Sequence, residues 1–304
     1  MISPSAVHID PDKCSGCGRC LRVCPDRTLA LREGRAVVAG RDCIACGHCA
    51  AVCPESAVRV EAADTDLHFS TFAEERDWLP WGRYDLAGLV RLMRSRRSCR
   101  NYTPQPVSRA MLEDLVKIGA TAPSGTNSQG WTFTILDRRD QVVALGGMVA
   151  SFYRRLNKKA ANPLLRFVAR IFMQDALGRY YRRYYSSVDQ GLREWDEGGG
   201  DRLFHNATAV ILVGSRPWAS CPAEDALLAT QNMLLAAHAM GLGTCLIGFA
   251  VEAIKRNGAI KRALDIPAEE TVYSVIALGY PAEAYQKVTG RKKILPRFPE
   301  NLAG

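Results

Sequence analysis

Cys14-Ser15-Gly16-Cys17-Gly18-Arg19-Cys20-Leu21-Arg22-Val23-Cys24-Pro25 returns 29 residues later as Cys43-Ile44-Ala45-Cys46-Gly47-His48-Cys49-Ala50-Ala51-Val52-Cys53-Pro54. Each run reads C-x2-C-x2-C-x3-C-P, the spacing that supplies thiolates to a 4Fe-4S cluster. The offset also superposes Gly18 on Gly47 and Val23 on Val52, so the two runs form an internal repeat. Three cysteines two residues apart can wrap one corner of a cubane in a tight loop. The fourth is carried away by the next turn, which the proline stops. The pattern implies one-electron chemistry.

Over roughly its first sixty residues the chain resembles the bacterial two-cluster ferredoxins. The resemblance implies that the fourth cysteine of each run serves the other cluster. Cys14, Cys17 and Cys20 would then pair with Cys53, and Cys43, Cys46 and Cys49 with Cys24. Structural zinc also uses C-x-x-C pairs, but it takes four ligands per ion and has no use for the x2-x2-x3-Pro rhythm. A disulfide framework is disfavoured because Met1 to Pro11 has no apolar signal core and a reducing cytosol opposes bridges. Cys46-Gly47-His48-Cys49 is not a haem attachment site, which needs His directly after the second cysteine. Cys99, Cys221 and Cys245 read as ordinary buried or semi-buried thiols.

At 304 residues and 47% hydrophobic content, the chain has room for this module and one substantial further core. No apolar run approaches the ~20 residues that span a bilayer, and a soluble, cytoplasmic protein is expected. The net charge of +9 is concentrated. From Tyr153 to Tyr185 there are nine basic residues against one acid, Asp175. Within that segment Asn162-Pro163 reads as an N-cap followed by proline at the first helical position. Leu164, Leu165, Val168, Ile171 and Phe172 then recur at helical period, and Tyr180, Tyr181, Tyr184 and Tyr185 follow. The first reading is the solvated face of a packed helix. The second is a lid, or a surface that attracts anionic substrates or acidic electron-transfer partners. Peripheral membrane contact is less favoured because Asp189, Glu194, Asp196, Glu197 and Asp201 follow. Nucleic acid is not expected, since no helix-turn-helix, RNP or zinc-finger signature accompanies the charge.

We divide the chain into a ferredoxin module over 1–62, a linker over 63–84 and a second domain over 85–304, with 153–200 as a basic lid or insertion. Thr28 to Leu31 and Ala36 to Ala39 predict a hairpin around Glu33-Gly34. The linker, with Trp78, Pro80 and Trp81, is expected to pack along one domain. Asp85 caps a predicted helix through Met93, and another runs from Ser108 through Ile118. Thr132 to Leu136, Ala207 to Val213 and Thr271 to Leu278 are strand candidates, and Ala223 to Met240 is a long apolar helix in which His238 reads as a core residue. The alternation gives an α+β class, with α/β as the neighbouring possibility.

Four stretches of the second domain carry the chemistry. Arg96-Arg97-Ser98-Cys99-Arg100 offers three guanidinium groups and a hydroxyl at a helix exit, a set suited to phosphate capture. Ala122-Pro123-Ser124-Gly125-Thr126-Asn127-Ser128-Gln129-Gly130-Trp131 is a loop of turn formers and amides. Gly241-Leu242-Gly243-Thr244-Cys245-Leu246-Ile247-Gly248-Phe249 and Ala277-Leu278-Gly279-Tyr280-Pro281 complete the set. In this order, the four resemble the nitroreductase-like FMN-dependent oxidoreductases. The resemblance implies that Arg96, Arg97, Ser98 and Arg100 hold the FMN phosphate and ribityl chain. Arg291 and Lys292 would complete that grip. Pro123, Ser124, Gly125 and Asn127 would approach the flavin from the other subunit of an intertwined homodimer, and Ile247 and Gly248 would lie near the isoalloxazine ring. Gly130 stands where the family has proline, which is expected to loosen that turn.

Gly241-x-Gly243-x4-Gly248 lacks the dinucleotide spacing and follows a helix, so no Rossmann nicotinamide site is expected. The reading is therefore an iron-sulfur flavoprotein in which two 4Fe-4S clusters pass electrons to FMN and on to a small oxidised organic acceptor. Nitro groups, quinones and activated alkenes are candidates, and no side-chain acid or base is demanded. The expected donor is a free ferredoxin or flavodoxin, with NAD(P)H as the alternative. A non-enzymatic electron-transfer or redox-sensing role, and the reverse dehydrogenase direction, use the same parts.

Overall fold

The computed structural model describes residues 7–61 and 67–299. In the N-terminal module, β1 (Val7–Ile9) pairs antiparallel with β4 (Val58–Val60), and β2 (Leu29–Arg32) with β3 (Arg35–Val38), the hairpin expected around Glu33-Gly34. The two halves of the repeat appear as α1 (Arg19–Val23) and α2 (His48–Ala51), each entered through a glycine, Gly18 at φ 69° and Gly47 at φ 73°. Both lie in the left-handed region, where any side chain is strained against its own backbone, which favours glycine at both positions. Val7, Leu29, Ala36, Val58 and Val60 form the small core, against which most of the cysteines pack.

The linker is held at one end and open at the other. Asp114 is fully buried; its Oδ2 accepts from Ser70 N, Thr71 N and Thr71 Oγ1, each at 2.8 Å, and its Oδ1 from Lys117 Nζ at 3.1 Å. Further along, Trp78 and Trp81 stand 72% and 89% exposed, so the expected packing stops short of both tryptophans. Residues 63–66 of the expected linker lie outside the described residues.

The second domain begins with α3 (Leu86–Ser95), capped by Asp85 through Gly88 N at 3.0 Å. Next comes α4 (Arg109–Gly119), capped by Ser108 through Met111 N at 3.3 Å. Then follow β5 (Trp131–Leu136), α5 (Arg139–Ala161), α6 (Pro163–Phe172), α7 (Ala176–Arg183), α8 (Tyr185–Asp196), β6 (Ala209–Ser215) and α9 (Pro222–Ala239). The series closes with β7 (Gly243–Leu246), α10 (Gly248–Arg256), α11 (Gly258–Ala263) and β8 (Thr271–Gly279). The sheet order is β5-β6-β8-β7, and every neighbouring pair is antiparallel. β6 is buried along its whole length because it is covered on both faces. Ala209, Ile211 and Val213 meet the α4 and α9 side, while Val210 and Leu212 meet the α5 and α10 side. This period-two division makes a three-layer α+β domain with one core on each side of the sheet. Burying side chains such as Ile211, Leu212 and Ile276 stabilises each layer by roughly 1.5–3 kcal/mol per residue.

Two expectations need correction. His238 sits half-buried in the last turn of α9, because Ala237 and not His238 takes the core-facing position of that turn. Cys221 is exposed, while Cys99 and Cys245 are buried as expected.

Candidate active site and cluster module

Cys24 from the first run and Cys43, Cys46 and Cys49 from the second line one small cavity, walled by Val7, Leu29 and Val60. Burial pushes the Cys49 thiol up, and the neighbouring sulfurs of Cys46 and Cys24 add to it. In the other set, burial pushes Cys20 up, with Cys14 and Cys17 contributing. Backbone N–H groups point at four of the sulfurs: Thr28 N to Cys24 Sγ at 3.3 Å, Ala36 N to Cys14 Sγ at 3.4 Å, Ala45 N to Cys43 Sγ at 3.3 Å and Ala57 N to Cys53 Sγ at 3.3 Å. Such bonds stabilise sulfur that carries negative charge. Among the described residues, no three His, Cys, Asp or Glu side chains converge on a point that would hold a single ion. Cys24, Cys43, Cys46 and Cys49 surround a small volume, and four thiolates so placed suit a cubane.

In the second domain, three of the four sequence motifs are laced together by the segment after α3. Ser98 bridges Thr244 in parallel, and Cys99 N donates to Thr244 O at 2.8 Å. Tyr102 bridges Pro281, Thr103 N donates to Tyr280 O at 2.9 Å and Ala282 N to Asn101 O at 3.0 Å. The Tyr102 hydroxyl, buried, donates toward Cys99 O at 3.0 Å and Ala277 O at 3.2 Å, and burial drives its phenol well above the usual range. Burial also pushes the Cys245 thiol up, against the opposing pull of Arg100, Ser98 and Arg96, so these groups share one neighbourhood. Arg97 Nη1 donates to Thr289 Oγ1 at 2.8 Å, which brings the tail carrying Arg291 and Lys292 alongside.

Among the described residues, none of Arg96, Arg97 and Arg100 is paired with a carboxylate. Three guanidinium groups without a counter-charge in one neighbourhood suit an anionic group such as a phosphate. Burial and then Arg100 hold the His205 imidazole below its ordinary range, in keeping with a locally positive field.

The fourth motif is built around Asp225, which is 1% exposed in the first turn of α9. Its Oδ1 accepts from Gly125 N at 2.9 Å, its Oδ2 from Ser128 Oγ at 3.2 Å, and its carbonyl from Trp131 Nε1 at 3.1 Å. So held, the loop keeps Thr126, Asn127 and Gln129 at φ 48°, 53° and 48°, while Ser124 Oγ accepts from Gln129 N at 3.0 Å. Pro123 is exposed at the loop's outer edge. Gly130 does not loosen the turn as expected. Its carbonyl accepts from Arg216 N at 2.9 Å and Ser215 Oγ at 3.2 Å, and a Cβ there would come within 2.8 Å of Ala219 Cβ. Asn127 turns away from the other motifs toward the cluster module: Nδ2 donates to Ile44 O at 3.0 Å and to Ala45 O at 3.1 Å.

Ile247 precedes α10, and no side chain caps that helix, so its positive end is open. A Cβ built on Gly248 would meet nothing within 4 Å, and Gly248 lines a large cleft roofed by α6 and α7. The cleft wall is an aromatic group that sequence reading did not assign to the site. Phe249 packs edge-on against Tyr153 and Tyr184 at 5.4 and 5.7 Å, and Tyr153 stacks on Tyr180 at 6.4 Å. Tyr153 OH donates to Phe249 O at 3.0 Å and Tyr180 OH to Asn157 Oδ1 at 2.6 Å; burial pushes both phenols above the usual range. Lys159, Arg179, Arg182, Arg183 and Arg256 lie at the rim, with Glu252 opposing them. Over α6 and α7 the basic segment is thus a roof, while Arg154, Arg155, Lys158 and Lys159 form the exposed face of the packed α5, where the first reading holds. Ala169 is the buried residue of α6, and Phe167, Ile171 and Phe172 remain 60%, 59% and 79% exposed.

A profile of the nitroreductase family matches residues 93–280, and one for the 4Fe-4S dicluster domain matches residues 6–54. Relatives include an NADH dehydrogenase of Thermus thermophilus, 26% identical over 62% of this chain and 84% of its own length. A 4-nitrobenzoate reductase of Pseudomonas putida is also 26% identical, over 62% of this chain and 83% of its own length. Among solved structures, a nitroreductase with bound FMN from Bacteroides fragilis superposes with a TM-score of 0.50 at 23% identity, covering 70% of this chain and 98% of that one. The match to the family over more than half of the chain, on the sheet and loops just described, identifies this protein as a member of the nitroreductase family of oxidoreductases, carrying a 4Fe-4S dicluster domain at its N-terminal end.

Proposed function

We propose that the protein is an iron-sulfur flavoprotein that carries single electrons through two 4Fe-4S clusters to FMN and delivers them in pairs to a small oxidised organic acceptor. The contact of the Cys43–Cys46 loop with the 122–131 loop carries this reading, since it seats cluster ligands against the loop assigned to the flavin. FMN, when bound, supplies the exchange between one-electron and two-electron chemistry. Arg96, Arg97, Ser98 and Arg100, with Arg291 and Lys292 from the tail, hold the phosphate and ribityl chain. Gly248 leaves its cleft open for a flat ring, with Ile247 fixed beside it by its N–H bond to Val275 O at 2.9 Å, and the uncapped start of α10 at Gly248 favours negative charge there. Pro123, Ser124, Gly125 and Asn127 meet the flavin from the neighbouring subunit.

Apolar side chains left uncovered on one chain support a homodimer. Leu227 and Leu228 on α9 are 50% and 44% exposed, and Ile294, Leu295 and Phe298 of the tail are more exposed still. The roof of aromatic rings excludes water while its two engaged phenols keep their protons, so protonation of the acceptor falls to solvent or substrate. The arginine-rich rim favours an acceptor with an apolar body and a negative charge. A cytosolic location and a reduced ferredoxin or flavodoxin as donor complete the proposal.

Anaerobic purification with iron, sulfide and flavin analysis tests it: about eight irons and one FMN per chain are expected from two cubanes and one flavin site. Single-turnover reoxidation then separates an enzyme from a relay. A small acceptor that empties the reduced protein far faster than protein partners do identifies the enzyme, and the opposite order identifies the relay.

A further inference from the structure

The peptide between Ile44 and Ala45 is hydrogen-bonded at both ends. Its carbonyl accepts from Asn127 Nδ2 at 3.0 Å, and its N–H donates to Cys43 Sγ at 3.3 Å. Hydrogen bonds in series polarise one another, so donation into the carbonyl strengthens the N–H as a donor to sulfur. The second Asn127 hydrogen goes to Ala45 O at 3.1 Å, and its Oδ1 accepts from Gln129 Nε2 at 3.2 Å. The orientation of the amide is therefore determined. Turned over, it would set an oxygen against two carbonyl oxygens and lose both bonds. Asn127 is held for this task in a left-handed conformation at φ 53°, on a loop anchored by buried Asp225, and its partner Ala45 is likewise left-handed at φ 51°. Asparagine tolerates that backbone region better than most residues.

From this arrangement we propose that Asn127 is a positioning residue that couples the two domains. It seats the cluster held by Cys24, Cys43, Cys46 and Cys49 as the one facing the flavin, and it raises that cluster's reduction potential through the polarised Ile44–Ala45 peptide. The inference rests on the function proposed above and deepens it by ordering the two clusters. N–H···S bonds stabilise the more negative, reduced form of a cluster, so strengthening one raises the potential. The cluster of Cys14, Cys17, Cys20 and Cys53 then receives each electron from the external carrier, and the Cys24 cluster passes it on. One centre is oxidised by one electron as the next is reduced by one. The higher potential at the flavin-facing cluster makes the internal hop downhill.

The test is an electron-resonance redox titration of the anaerobic holoprotein and of Asn127→Ala and the near-isosteric Asn127→Asp, each analysed for iron and flavin. A ligand change confined to one cluster, Cys24→Ser, marks which potential belongs to it. The expected result is a lower potential for the Cys24 cluster in both variants, with the other cluster unmoved. Equal potentials in variant and parent overturn the proposal. So does a parallel shift of both clusters or a loss of iron, which would make Asn127 a packing residue. A parent protein lacking iron or flavin would instead overturn the proposed function itself, before any variant is compared.

Discussion

Thr71 gives two hydrogen bonds to Asp114 Oδ2, one from its backbone and one from its hydroxyl, both at 2.8 Å. Through this carboxylate the chain leaving the cluster module is strapped to α4 of the flavoprotein domain. Burial works against the charge of Asp114, but the Thr71, Lys117 and Ser70 bonds outweigh it and hold the acid below its ordinary range. Asp114→Ala strands these donors and should cost roughly 1–3 kcal/mol. Limited proteolysis should then cut around Ser70 and Thr71, which the strap protects in the parent. Because the folded acid has the lower pKa, its contribution is complete above about pH 4 and fades as pH falls through the folded value. Resistance of the parent at pH 5 and pH 8 should be equal.

A side chain at Gly248 would project into the cleft and would strike nothing in the protein itself. Gly248→Val should therefore leave the thermal unfolding of the flavin-free protein within about 0.5–1 kcal/mol of the parent, the usual range for a glycine-to-branched change at a helix start. Flavin retention through gel filtration should nevertheless be lost. Retention equal to that of the parent would remove the ring from this cleft.

The uncompensated arginines predict a specific selectivity. Arg97→Ala and Arg100→Ala should each weaken FMN binding by about 10- to 100-fold, the range of one charge-assisted hydrogen bond. Riboflavin, which lacks the phosphate, should bind parent and variants alike. Fluorescence titration with both flavins measures the difference.

Asn127 joins the cluster module to the 122–131 loop; if that loop meets the flavin from the neighbouring subunit, as proposed above, clusters and phosphate grip should work across the dimer. Mixed dimers provide the check. One chain carries Arg96→Glu and Arg97→Glu with intact clusters, and the other carries Cys43→Ser and Cys46→Ser with an intact grip. Cluster-dependent flavin reduction should return in the mixed dimer although both parent homodimers lack it. Failure to recover would place the relay within a single chain.

The 4Fe-4S domain was legible because ligand spacing is a local property, and so were helices opened by Asp85, Ser108 and Asn162-Pro163, whose caps the structure shows in place. Strand β6 was found two residues early because its apolar run begins before the pairing does. The long α5 was missed. Its apolar residues are interrupted by Gly146-Gly147, and Gly146 is needed where a Cβ would come within 3.0 Å of the Trp195 ring. Its start depends on Gln141 Oε1 reaching back to Arg138 N at 3.3 Å, a weak signal in sequence. The site motifs were legible one by one, but not what anchors them. Asp225 lies 100 residues from Gly125, and the Tyr153, Tyr180, Tyr184 and Phe249 wall is assembled from α5, α7, the turn after α7, and α10. Such partners are set by tertiary packing, on which local pattern is silent. The reach of the Asn127 amide to Ile44 and Ala45, across more than eighty residues, is equally invisible in local pattern.

Anaerobic rapid mixing of the holoprotein with a one-electron donor, before and after the clusters are bleached with the flavin retained, tests the central claim most directly. The wiring described here predicts that cluster absorbance changes first, that flavin reduction follows it, and that bleaching slows the flavin to the rate of its direct reaction with the donor. Flavin reduction at an unchanged rate in bleached protein would contradict it.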